Sequence, residues 1–104
     1  MAQLLVMYRT PKDAAAFDKH YFDIHVPLAK SLPGLTSFEV SKGPITPIAG
    51  GESFHLIATL HFDSMAALQS AFASLEGQAA AADRLTFAPN DSDLIMVVYD
   101  DAVM

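Results

Sequence analysis

The stretch F-D-K-H-Y-F-D-I-H-V-P-L-A-K-S-L-P-G-L-T-S-F-E-V, residues Phe17 to Val40, contains a helix, a turn and a strand in that order. Phe17, Tyr21, Ile24 and Leu28 recur at helical spacing and predict one buried stripe. His25 falls about 80° from the Phe17 edge of that stripe at ~100° per residue, so it sits on the border between core and solvent. Two residues later comes Pro27. A proline past the first turn of a helix costs roughly 3 kcal/mol or more, because its ring removes a hydrogen bond, here to the carbonyl of Asp23. A bend is expected there. An ionisable ring at the core border beside a bend marks a candidate site.

Upstream, Gln3 to Arg9 reads as a strand that is apolar on both faces, Leu4, Val6 and Tyr8 against Leu5 and Met7. Thr10 is the expected N-cap of the first helix and Pro11 its first residue. Downstream, Leu32-Pro33-Gly34-Leu35 is a turn and Thr36 to Lys42 a second strand. Gly43 to Ser53, rich in Gly and Pro, is expected to be a loop of the kind that covers sites. Phe54 to Phe62 alternates cleanly, with Phe54, Leu56, Ala58, Leu60 and Phe62 on one face and His55, Ile57, Thr59 and His61 on the other. Ser64 is expected to cap a second helix carrying Leu68, Ala71, Phe72 and Leu75, and Ser74 a short one from Glu76 to Leu85. Asp93 to Asp100 is a last strand, again apolar on both faces.

The order β-α-β-β-α-β predicts an α+β, ferredoxin-like domain: a four-stranded antiparallel sheet with its helices on one face. Residues 1–104 are expected to form one domain. The other sheet face should alternate more cleanly if it met water. Its apolar first and last strands predict a second copy packed sheet to sheet, a homodimer closing as a dimeric α+β barrel.

Composition narrows the function. The chain of 104 residues is 52% hydrophobic, a surplus that points to an interface or a pocket. It has no cysteine, which excludes disulfides and thiolate metal sites. The net charge is −6 and the six Lys and Arg are scattered, so nucleic acid is not an expected partner. No apolar run approaches the ~20 residues that span a bilayer, and M-A-Q-L-L-V lacks the marks of a signal peptide. The expected location is cytoplasmic, with no membrane partner.

Several motifs recur together in one known family. They are F-D-x-x-Y (Phe17 to Tyr21), H-V-P-L-A (His25 to Ala29), L-P-G-L (Leu32 to Leu35), F-E-V-S-K-G (Phe38 to Gly43), F-H-L (Phe54 to Leu56), F-D-S-M (Phe62 to Met65) and E-G-Q-A-A-A-A-D (Glu76 to Asp83). In this ordered set the chain resembles the ethyl tert-butyl ether degradation (EthD) family of the dimeric α+β barrel superfamily. By that resemblance His25 matches the family's histidine, Tyr21 its tyrosine and His55 its strand histidine. Some members carry a reductase label, and related barrels include isomerases, cyclases and cofactor-free monooxygenases. The chain departs from the pattern at His20, where an aromatic is usual, at Thr59 and His61, where an acid and a tryptophan are common, and at Leu75, a common proline.

Read as chemistry, His25 has the titration range of a general acid or base, against the plainer role of a structural histidine at a bend. Tyr21, one turn earlier, can orient the ring or bind substrate, or simply fill the core. His55 and His61 share a strand face but lie ~20 Å apart, too far for one metal. His20 is expected on the opposite border of the helix from His25, so the two are poor co-ligands. No Gly-rich phosphate loop or flavin fingerprint appears. The expectation is a small enzyme with no cofactor and no metal, acting by proton transfer on an apolar oxygenated molecule through His25, Tyr21 and His55. The alternative is a non-catalytic binding or accessory protein with the same pocket.

Overall fold

The computed structural model describes residues 1–104. Strand β1 (Ala2–Arg9) leads through an N-cap at Asp13 into α1 (Ala14–His20), a π-helical turn (Tyr21–His25) and α2 (Val26–Lys30). Then follow β2 (Leu35–Val40), β3 (Phe54–Phe62), α3 (Met65–Ala73), α4 (Leu75–Phe87), a 3-10 turn (Asp91–Asp93) and β4 (Leu94–Asp100). The strands form one antiparallel sheet in the order β2-β3-β1-β4. This is the α+β, ferredoxin-like arrangement the sequence predicts. No helix is long and apolar enough to cross a membrane.

Alternation in the two central strands builds the core. Leu4, Val6 and Tyr8 of β1 and Leu56, Ala58, Leu60 and Phe62 of β3 are buried, and Phe17, Tyr21, Leu68 and Ala71 of the helices close over them. Ser64 and Ser74 cap α3 and α4 as expected, their hydroxyls accepting from the backbone of Ala67 and Gly77. The α3–α4 junction is tight. A Cβ on Gly77 would lie 2.2 Å from the Ala71 carbonyl oxygen, so only glycine fits there.

Three local expectations are corrected. The first helix is capped by Asp13 and not Thr10: the Asp13 carboxylate accepts from Ala16 N at 3.0 Å and so supplies the partner that orphan N–H needs. Pro11 stays outside the helix. The buried stripe is Phe17, Tyr21, His25 and Ala29, while Ile24 is 48% exposed. The cause is the π-turn, in which Val26 N–H bonds the Tyr21 carbonyl five residues back. That extra residue shifts the helical phase by one position, moving His25 from the border into the core face. It also lies just before Pro27, where the lost N–H calls for an irregularity. Finally, a bulge opposite Tyr8 and Arg9 interrupts the alternation of β3 at its start. It turns His55 to the helix side, away from Ile57, Thr59 and His61.

The other sheet face carries Leu5, Met7, Ile57, Ile95 and Val97 in register, with His61 and Glu39 toward one end. Along edge strand β4, Met96, Val97, Val98 and Tyr99 are all 42–47% exposed.

Candidate functional site

Between the sheet and the helices lies a cavity of about 200 Å³. Its wall is mostly hydrophobic, and its polar atoms come from Tyr8, Tyr21, His25 and Arg84. The π-turn delivers His25 to this wall with a side chain only 11% exposed. Its Nδ1 lies 2.9 Å from Oδ2 of Asp83 on α4, and the other oxygen, Oδ1, lies 2.9 Å from Nε2 of His20. Thr86 Oγ1, which donates to the Asp83 carbonyl, stands 3.4 Å from that same His20 nitrogen. One carboxylate thus holds two imidazoles.

The phase shift at the π-turn explains this meeting. His20 and His25 are five residues apart, which an α-helix places on different borders. The wider turn brings both toward α4, so the expectation that they stand apart is corrected. Asp83 ends the E-G-Q-A-A-A-A-D segment, and nothing in its spacing points to His20 or His25. The available signal was the adjacent charges Asp83 and Arg84 at the end of an alanine-rich helix.

Electrostatics follow from burial and pairing. Burial lowers the tendency of His25 to protonate; the hydrogen bond and charge of Asp83 oppose this without overcoming it, and His25 stays below the ordinary histidine range. Burial by itself would raise the Asp83 carboxyl. The hydrogen bonds from His25 and His20 outweigh it and hold Asp83 below the usual carboxylate range. Near neutral pH this leaves an ionised Asp83 and a neutral His25. An ionised carboxylate only accepts, so His25 Nδ1 carries the proton and Nε2 keeps a lone pair. No chain group bonds that Nε2.

Tyr21 packs on His25 with ring centroids 5.4 Å apart and is 1% exposed. Phe87 packs against the imidazole as well, its ring centroid 4.9 Å away and 6.0 Å from that of Tyr21. Burial pushes the Tyr21 and Tyr8 phenols well above their ordinary range. Neither hydroxyl has a hydrogen-bond partner within the chain.

His55 is elsewhere. Its Nε2 lies 2.6 Å from Asp18 Oδ1, and its ring meets the edge of Phe17. It lines a separate cleft with Phe22 and the start of the loop after β2, Gly43, Pro44 and Ile45. The structure therefore brings Tyr21 and His25 together but not His55. The Gly/Pro loop borders the His55 cleft rather than covering the His25 cavity. Thr59 and His61 lie on the far sheet face, outside both. No three His, Asp or Glu side chains are arranged to hold a metal ion.

Comparison with known proteins agrees with this architecture. Residues 9–91 match the EthD domain model. This chain belongs to the EthD family. It is 42% identical, over 85% of its length and 84% of the relative's, to an uncharacterised 11.0 kDa protein from the thcB–thcC intergenic region of Rhodococcus erythropolis. The crystal structure of an EthD family protein from Bacillus halodurans superposes with a TM-score of 0.87 at 32% identity, covering 98% of this chain and 99% of that one. A dimeric ferredoxin-like protein of unknown function from Jannaschia shares the fold, with a TM-score of 0.69 at 22% identity over 96% of this chain and 98% of that one.

Proposed function

We propose that the His25 cavity receives a small apolar, oxygenated molecule and that His25 moves a proton to or from it. The observation that carries this reading is the division of labour on the imidazole. Nδ1 is spent on Asp83, and Nε2 is free at the wall of an apolar cavity. A neutral, oriented histidine of this kind is a general base, and its conjugate acid returns the proton. Asp83 fixes the tautomer and stabilises the imidazolium as it forms. Tyr21 offers a hydroxyl to the ligand.

The apolar lining would equally suit a binding protein without turnover, and one experiment separates the two. Enolisable ketones are incubated with the protein in deuterium oxide, and incorporation at the α-carbon is followed by NMR. Proton transfer predicts exchange that falls by about 10²–10⁴-fold in His25→Gln. Binding of those ketones without exchange would support the accessory reading. A His25→Gln variant that is destabilised but fully active per folded molecule would make His25 structural.

The working unit in this reading is a homodimer. The apolar sheet face and the uncovered β4 support it, as does the dimeric state of the Jannaschia protein with the same fold. Pairing sheet to sheet would bury on the order of 2,000 Å².

A further inference from the structure

Arg84 is the feature of the cavity that proton transfer by His25 does not use. It lines the apolar wall and is half-buried. Every other buried or half-buried charge near it is paired. Asp83, its neighbour in sequence, is turned to His20 and His25. The ion pairs of the fold leave Arg84 without a carboxylate. One guanidinium nitrogen, Nη1, donates to the Ala88 carbonyl at 3.0 Å and so caps the end of α4. Capping accounts for that nitrogen. It leaves the other guanidinium nitrogens beside an apolar cavity with no hydrogen-bond partner in the chain.

Tyr8 stands on the same wall. It is 2% exposed, on central strand β1, and its hydroxyl lacks a partner in the chain. Burial raises the phenol, and Arg84 acts on it in the opposite sense. Both groups offer hydrogen-bond donors, and neither is engaged across the cavity. A guanidinium and a phenol on one apolar wall are the donor set for an oxygen that carries negative charge.

We propose that Arg84 and Tyr8 form an oxyanion seat, so that the ligand of this cavity is a small apolar molecule bearing one anionic oxygen group, a carboxylate or an enolate. The size is bounded. A cavity of about 200 Å³ suits a molecule of one ring with a short arm. An enolate on Arg84 and Tyr8 would be the product of proton removal by His25. A carboxylate there would serve to anchor the molecule.

This inference rests on the reading that the His25 cavity is the working site, but not on His25 moving a proton. Phenylacetate and phenylacetamide differ at the charged oxygen and little in size. Their binding is measured by NMR line-shape titration on the wild type, Arg84→Met, Arg84→Lys and His25→Gln. Benzoylacetone, whose enolate absorbs distinctly, tests the second oxygen source. The seat predicts that phenylacetate binds at least tenfold tighter than the amide. Arg84→Met should lose about ten- to a hundredfold of that affinity while Arg84→Lys keeps part of it. His25→Gln should keep most of it. Enolate absorbance of bound benzoylacetone should appear at lower pH than in water, and less so in Arg84→Met. Melting temperatures of the two Arg84 variants separate lost capping from lost binding. Equal affinity for acid and amide, unmoved by Arg84→Met, with no enolate shift, overturns the seat and leaves the cavity reading standing. No binding of any of the three probes overturns both.

Discussion

Asp83→Asn tests the centre of the site, because it keeps the shape of the side chain and removes its charge. In the wild type the carboxylate accepts from His25 and His20, both at 2.9 Å, with Asp83 and His25 side chains each 11% exposed. A hydrogen bond to a charged group in such a position contributes about 1.5–3 kcal/mol. Asn keeps one accepting oxygen, and the more exposed His20 contact adds little. The expected loss near neutral pH is therefore about 1–2 kcal/mol, which lowers the melting temperature of a chain this size by roughly 5–15 °C. The pH dependence gives a sharper test. His25 titrates below its unfolded value of 6.5, so the unfolded chain binds the proton first and stability falls as pH drops through that window. The Asp83 charge raises the His25 value, so Asn should lower it further. The variant's deficit should then grow as pH falls below the wild-type His25 value, which itself lies under 6.5. Asp83 itself stabilises the fold above its unfolded value of 3.8, and that contribution is lost as pH falls through its lower folded value. Below that point the variant and wild type should converge. Imidazole NMR titrations and thermal melts at one fixed protein concentration measure all of this. A His25 that titrates at the same or a higher pH in Asp83→Asn would refute the argument.

Three further outcomes follow from the packing. Gly77→Ala should cost about 3 kcal/mol, read as a lower denaturation midpoint, because its Cβ would meet the backbone oxygens of Ala71 and Phe72 at 2.2 and 2.6 Å; an unchanged midpoint would mean α3 and α4 do not meet as described. Tyr21→Phe should leave the melting temperature unchanged or slightly higher, since the lost hydroxyl has no partner in the chain, while weakening ligand binding; a drop of several degrees would show a structural bond. Val97→Asp places a charge on the apolar sheet face, where Val97 is 44% exposed, and should convert a sedimenting species near twice 11.2 kDa into one near 11.2 kDa; a wild type already at the lower mass would remove the sheet-to-sheet dimer.

What the sequence made legible divides along physical lines. Strand alternation in β1 and β3 and the serine caps of α3 and α4 are local signals, and the topology followed from them. The candidate histidine was legible as well, but its surroundings were not. A regular helical period puts Ile24 and Leu28 in the core and His25 at its border. One π-turn, set just before a proline that already costs the helix a bond, replaces them with His25 and Ala29. Periodicity cannot show such a turn, because the inserted residue leaves no gap in composition. Nor can it show Asp83, whose role depends on α4 crossing the helix that carries both histidines. The bulge at Arg9 hides His55 in the same way, by reversing the side to which one residue points. In each case a one-residue irregularity of the backbone decides which ionisable groups meet. His25 gains its carboxylate through such an irregularity, and His55 is moved by another to a different cleft. The chemistry of this fold is thus set where regular secondary structure fails, and there the sequence offers the residue types without their pairing.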